Sequence, residues 1–307
     1  MSPTKADRVA RFHEGLISLA QYHRLGLGDT RLQSLLTCGQ WERVVRGVYD
    51  TTPQADRDWD ARRRRAAWTG LLAMGKKAVA VGACALALQG VAGLPRSIEP
   101  EVAMADGRHV RGPAGVHVRR YVGVPVPILF AGWSVSDTAT ALLHALPALD
   151  RSHAVAVLDS ALNSGRLTEQ ELAQLRDRMR GRRGSRRLEA VWPVVNALAE
   201  SPLESWARLD CVDAGLPPDR LQMHIRDDAG AFVARVDMVW LRADGSMVVA
   251  EIDGRSTHTA PDALFTDRVR QNRLLSLPGI TVLRFTYQDL QEPGVVARAV
   301  REALLRT

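Results

Sequence analysis

Apolar positions along this chain follow three rhythms. In the first fifty residues the rhythm is helical and then alternating. Ser18 can cap a helix running to about Arg24, Gly26-Leu27-Gly28 makes a turn, and Asp29 caps a second helix through Cys38 that Gly39 stops in the left-handed conformation. Residues 41–49 then alternate apolar and basic side chains around Gly47, the pattern of two short strands forming a wing. Together these predict a winged helix-turn-helix over residues 1–52. The helix after the turn would offer Thr30, Arg31, Gln33 and Ser34 to the major groove of DNA, with Arg43 and Arg46 in the wing.

A mixed helical and strand region follows over residues 53–187. A helix over 56–75 carries Arg62-Arg63-Arg64-Arg65, which reads as a solvated face. Beyond it the pattern predicts a helix ending at Gly90, strands near 101–104 and 116–121, and a helix capped by Ser136 or Asp137 that ends near Leu146. Helices over 151–163 and 168–180 follow, the second opened by a Thr168-x-x-Glu171 capping box. Seven arginines stand in the twelve residues from Arg176 to Arg187, Gly181 and Gly184 among them. That stretch reads as a basic hinge, with Arg182, Arg183, Arg186 and Arg187 forming a track for a DNA backbone.

After Ser201 the order becomes α, β, β, β, α, β, α, an α/β pattern. A helix starts at Pro202, strands lie near 221–226, 232–241 and 247–253, and a helix near 262–276 precedes a strand over 280–287 and a closing helix from Asp289. Strand 247–253 is apolar enough to be central in a sheet, yet it ends in Glu251 and Asp253. Two residues apart, they point to one face. Asp237 sits inside a second apolar strand. A carboxylate inside a sheet is costly unless something pairs with it. Three that converge call for a divalent cation, and carboxylate oxygens with water suit Mg²⁺ or Mn²⁺. Such a metal polarises a phosphodiester and activates water. Each residue also has an ordinary reading. Glu204 completes a Ser201-Pro202-Leu203-Glu204 capping box, Asp253-Gly254 is a strand-ending turn, Asp237 can pair with Arg235, and His258 can be a surface histidine.

Charge sharpens the division of labour. The net charge is +7, from 41 Lys and Arg against 34 Asp and Glu. Residues 1–50 carry 7 basic and 5 acidic side chains, residues 51–200 carry 21 and 14, and residues 201–307 carry 13 and 15, so the surplus lies before Ser201. A basic front and a mildly acidic rear suggest DNA attraction in front and carboxylate chemistry behind. No apolar run approaches the ~20 residues of a membrane span, so no membrane partner is expected. The N-terminus lacks the shape of a signal peptide. Cys38, Cys84 and Cys211 are too few and too scattered for a disulfide framework or a metal clip, which points to the cytoplasm.

From Ser201 to Leu290 the chain resembles domain of unknown function 559, relatives of the very-short-patch-repair endonucleases. The matching pieces are Ser201-Pro202-Leu203-Glu204-Ser205, Arg235-Val236-Asp237, Glu251-Ile252-Asp253-Gly254 with His258, Asp267-x-x-Arg270, and Gly279 followed by Val282-Leu283-Arg284-Phe285. The resemblance implies a PD-(D/E)XK restriction-endonuclease-like domain over residues 201–307. Asp237 would be the motif aspartate, Glu251 the (D/E), and Glu204 a first-helix carboxylate near the metal. Where that pattern has lysine this chain has Asp253, and no lysine follows Lys77. The transition-state cation is then open between His258, Arg270 and a second metal held partly by Asp253. The N-terminal part resembles AbiEi-type antitoxins, on Leu35-Leu36, Gly39 and Arg43-Val44-Val45-Arg46-Gly47-Val48-Tyr49. The expectation is a Mg²⁺-dependent DNA endonuclease with an N-terminal targeting module. Its rival is a DNA-binding, antitoxin-like regulator whose nuclease fold does not cut. A partner other than DNA is left open between a second copy and another protein.

Overall fold

The computed structural model describes residues 4–108, 110–120, 127–253 and 272–306. The chain is mixed α/β with three sheets, and it divides into two compact units: Met1–Leu149 with Arg166–Leu188, and Asp150–Gly165 with Glu189–Thr307. Among the described residues no helix is long and apolar enough to cross a membrane.

The first unit opens with α1 (Lys5–Arg11), β1 (Leu16–Ser18), α2 (Leu19–Arg24), α3 (Asp29–Thr37), β2 (Glu42–Val45) and β3 (Val48–Asp50). Ser18 caps α2 through a capping box with Gln21, as its spacing predicts. Asp29 does not cap α3. Gly28 holds that place, and the Asp29 carboxylate lies 2.7 Å from His23 Nε2 instead. The two short strands expected around Gly47 form, and β1 joins them in a three-stranded antiparallel sheet of order β1-β3-β2. Ala6, Ala10, Ile17, Tyr22, Leu32, Trp41 and Tyr49 make the core beneath.

Next come α4 (Trp59–Met74), β4 (Ala78–Ala80), α5 (Gly82–Leu88), β5 (Glu101–Met104), β6 (His117–Arg119), β7 (Pro127–Phe130), β8 (Trp133–Ser136) and α6 (Thr138–Ala145). Their strands form a five-stranded sheet, β6-β5-β4-β8-β7. The arginine run on α4 is not a solvated face. Arg65 binds the buried Asp50 carboxylate at 2.5 Å, Arg64 binds Glu14 at 2.6 Å, and Arg63 donates to the carbonyls of Leu94 and Pro95. The reason is that Asp50 ends β3 beneath α4, where its charge needs partners. After α7 (Arg151–Asn163), which belongs to the second unit, α8 (Glu169–Met179) opens on the expected Thr168–Glu171 capping box. It leads into α9 (Ser185–Leu188).

The second unit carries a four-stranded sheet of β9 (Arg220–Arg226), β10 (Phe232–Leu241), β11 (Met247–Asp253) and β12 (Ile280–Thr286), flanked by α10 (Pro202–Asp213) and α11 (Val295–Leu305). Strand order is β12-β11-β10-β9, with β11 and β12 parallel and the other pairs antiparallel. β11 is buried on both faces, which is why its sequence is continuously apolar up to Glu251. One face packs Trp240, Val248 and Ala250 against Ala207 and Cys211 of α10 and Val296 and Val300 of α11. The other buries Val239 and Val249 with Ile225 and Leu274. α7 is tied into this unit by a buried pair, Asp159 with Arg208 of α10 at 2.7 Å.

Candidate functional site

The sheet of the second unit brings four polar side chains into one row. The antiparallel register pairs Met238 with Ala250, so the next step along sets Asp237 beside Glu251. On the far side of β10, Val236 faces Met223 and Met238 faces Leu221, which sets Asp237 beside Gln222. On the far side of β11, Glu251 is the partner of Arg284 in the parallel ladder. The row therefore runs Arg284, Glu251, Asp237, Gln222 across β12, β11, β10 and β9. Glu204 of α10 reaches its end.

Hydrogen bonds fix the row. The backbone N–H of Ile252 donates to Asp237 Oδ2 at 2.7 Å. Gln222 Nε2 donates both to Asp237 Oδ1 (3.3 Å) and to Glu204 Oε2 (2.9 Å), so one amide clamps two carboxylates. Arg284 donates to Glu251 Oε2 from Nε and from a terminal nitrogen, at 2.9 and 2.7 Å. Gln222 holds φ at +50°, a left-handed conformation that costs of order 1–3 kcal/mol for a non-glycine residue. The strand turns over there: Leu221 packs on one core and Met223 on the other.

Burial raises the pKa of Asp237, opposed by the bonds from Ile252 and Gln222 and reinforced by the Glu251 charge. Burial likewise raises that of Glu204, with the Asp237 charge adding to it. Glu204 is only half of a capping box. Ser201 accepts from the Glu204 N–H, but the Glu204 carboxylate accepts from the N–H of Glu200 rather than from that of Ser201. Arg235 does not form the ion pair with Asp237 that its spacing allows, because both its terminal nitrogens are bound to Glu200.

These donors suit a hard cation in kind. All are oxygens, two belong to carboxylates whose charge is raised in cost by burial, and Gln222 Oε1 is buried with no hydrogen-bond partner among the described residues. Among the described residues, no three His, Cys, Asp or Glu side chains are gathered closely enough to hold a metal. Arg284 meanwhile occupies the place on Glu251 that a cation would neutralise. Asp253 ends β11 exposed, two residues beyond Glu251. His258 and Arg270 lie outside the described residues.

Two members of the row carried no role in the sequence. Arg284 was legible only as part of the matching piece Val282-Leu283-Arg284-Phe285 in the strand expected over 280–287, with no role of its own, and Gln222 as an amide in a short strand. What joins them to Asp237 and Glu251 is cross-strand register.

The residues expected to face DNA lie in the first unit. Thr30, Arg31, Gln33 and Ser34 are exposed on α3, whose Leu32 turns into the core, and Arg43 and Arg46 are exposed on the hairpin. The stretch read as a hinge is a run of hydrogen-bonded turns leading into α9, and Arg182, Arg183, Arg186 and Arg187 line a concave cleft there.

No family profile matches the chain. Two proteins of Mycobacterium tuberculosis are similar to it: uncharacterized protein MT2308 of strain CDC 1551 / Oshkosh and uncharacterized protein Rv2248 of strain ATCC 25618 / H37Rv. Each is 32% identical over 201 residues, which is 65% of this chain and 72% of the relative. At that identity and coverage the chain belongs to the same family as these two mycobacterial proteins.

Proposed function

We propose that the second unit is a PD-(D/E)XK-type, metal-dependent nuclease domain, that the first fifty residues form a winged helix-turn-helix, and that the substrate is DNA. The observation that carries the reading is the row across the sheet: Asp237 and Glu251 side by side, Gln222 clamping Asp237 to Glu204, and a guanidinium at the other end. Buried carboxylates set beside one another cost stability. That is the expected signature of a site kept for chemistry.

Asp237 and Glu251 would hold Mg²⁺ or Mn²⁺, with Asp253 on the same face of β11 as a further oxygen donor. The cation would supply polarisation of the phosphodiester and an activated water. The chain's own groups do the rest. The Ile252 N–H fixes the Asp237 carboxylate, and Gln222 holds Glu204 within reach of a proton on the attacking side. Burial pushes the Glu204 pKa upward, which suits a group that takes and returns a proton. Arg284, paired with Glu251, would supply the cation for the developing charge that the PD-(D/E)XK pattern assigns to a lysine. DNA would be held by α3 and the hairpin through Thr30, Arg31, Gln33, Ser34, Arg43 and Arg46.

The test is cleavage of supercoiled plasmid with Mg²⁺ or Mn²⁺, comparing the natural chain with Asp237→Ala and Glu251→Ala. Loss of cleavage with retained DNA affinity is expected, and equal cleavage by the variants removes these residues from the mechanism. One observation favours a second reading, a DNA-binding regulator with a non-cutting platform: Arg284 already neutralises Glu251. Absence of cleavage by the natural chain, with DNA binding intact, selects it.

A further inference from the structure

The first unit holds a cleft of about 720 Å³ in which half of the lining residues are arginine. Its size is that of pockets for nucleotide-sized ligands, roughly 300–1,000 Å³. Arg182 and Arg183 line it from the α8–α9 turn, Arg186 and Arg187 from α9, Arg119 from β6, and His144 from α6. Arg119 is bound to Glu101, and Arg180 just outside is bound to Asp177. The other four guanidiniums have no carboxylate within ion-pair distance among the described residues. Four like charges facing one concavity repel each other, so the arrangement is costly unless something anionic enters.

The arginines do not hang from a loose tether. Gly181 and Gly184 both take left-handed φ, +72° and +88°. Turns are closed by Arg182 N–H to Met179 O (3.1 Å), Ser185 N–H to Arg182 O (3.1 Å) and Arg187 N–H to Gly184 O (3.2 Å). Gly184 lies directly on Pro147, where an added Cβ would come within 2.9 Å of the proline Cβ. The backbone under the arginines is thus seated on the wall formed by the α6 terminus. Burial first, then Arg119, Arg182 and Arg178, push the His144 imidazole down to about 4. It is neutral at physiological pH, so it adds no positive charge of its own to the cleft.

The shape decides which anion fits. A DNA backbone presents single charges spread along a convex rod, whereas a polyphosphate concentrates several charges within one small volume. We propose that this cleft binds a small polyphosphate ligand of the nucleoside di- or triphosphate class, with Arg182, Arg183, Arg186 and Arg187 on its phosphates. The inference is independent of the nuclease reading and concerns the other unit.

The experiment is calorimetric titration of the full-length chain at near-physiological salt with three probes: inorganic tripolyphosphate, ATP and a short DNA duplex. Tripolyphosphate and ATP are expected to bind. The double variant Arg182→Ala, Arg186→Ala should weaken both by about a hundredfold, since each charge-assisted phosphate contact is worth roughly a factor of ten. Gly184→Ala retains every arginine yet should also weaken binding, because it lifts the turn off Pro147. Circular dichroism of each variant establishes that it is folded. Tripolyphosphate should also raise the His144 pKa followed by NMR, since a bound anion favours the imidazolium. Failure of both small probes to bind at millimolar concentration overturns the proposal, as does unchanged binding by the folded double variant. Duplex binding that needs these arginines and does not compete with tripolyphosphate also overturns it, by assigning the cleft to the DNA backbone.

Discussion

Replacing Asp159 by alanine removes the anion at the junction of α7 and α10. Asp159 is fully buried and accepts from three donors: the N–H of Asn196 at 2.7 Å, Ser205 Oγ at 2.8 Å and Arg208 at 2.7 Å. Burial raises the carboxyl pKa, against the pull of Arg208 and the hydrogen bonds. The charged pair is therefore held at a cost, and its loss is felt through the partner left behind. Without Asp159, Arg208 keeps, among the described residues, only its bond to the Val194 carbonyl; its Nε is already without a partner among them, and its side chain is 6% exposed. Stranding a buried charge costs about 3–5 kcal/mol. For a unit of this size roughly 2–5 °C is lost per kcal/mol, so the melting transition should fall by about 10–20 °C. Differential scanning calorimetry of the full chain is the assay, because two units need not melt together. The double variant Asp159→Leu, Arg208→Met should recover most of the loss, since an apolar pair of similar volume has no charge to strand. Two results would refute the reasoning: a shift of only a few degrees in Asp159→Ala, or a double variant no more stable than the single one.

Asp237→Asn should stabilise the metal-free chain at neutral pH. A carboxyl whose folded pKa is raised lets the folded state bind more protons than the unfolded one, so stability falls as pH rises from the ordinary aspartate range through the raised value. The variant should flatten that slope in urea melts run across the acid range, and an unchanged slope would deny the burial cost. Arg284→Ala should lower plasmid cleavage by about 10²–10³ if it serves the developing charge. It should also tighten Mn²⁺ binding followed by electron paramagnetic resonance, since Glu251 is released; cleavage at the natural rate would take Arg284 out of the chemistry. On α4, Arg65→Ala should destabilise the first unit by several times more than Arg62→Ala. Arg65 is held by buried Asp50, whereas Arg62 lies 3.9 Å from a fully exposed Asp56, a difference that thermal melts of the two variants would read directly.

What could be read from the sequence here was local, and what could not was placed by pairing at long range. Ser18 with Gln21 and Thr168 with Glu171 are decided within four residues, so their caps were legible. The strands of the second unit were legible for a similar reason: β11 sits between two cores, and a strand buried on both faces has to be written as an unbroken apolar run. Asp29 misled because aspartate serves as readily at the first helical position as at the cap, and His23, six residues back, decides between them. The arginines of α4 misled because their anions, Glu14 and Asp50, come from other elements.

The candidate site follows the same division. Asp237 and Glu251 could be singled out because a carboxylate within an apolar strand stands out in one dimension. Gln222 and Arg284 could not, since an amide in a half-buried strand and an arginine near a strand end are ordinary until the ladder is known. Register then does what composition cannot. It sets an amide with two donors between two carboxylates at one end of the row, and a guanidinium on the third at the other. In the resting chain each carboxylate is thus provided with a donor. The donors on Asp237 and Glu204 are the Gln222 amide and backbone N–H groups, all neutral, so that pair has no ion pair among the described residues, while Glu251 is paired with an arginine that is 43% exposed. On the proposed reading, a cation entering this row would meet negative charge at Asp237 and would compete with Arg284 for Glu251. If the proposed metal binds here, its affinity and the freedom of Arg284 are coupled through one carboxylate.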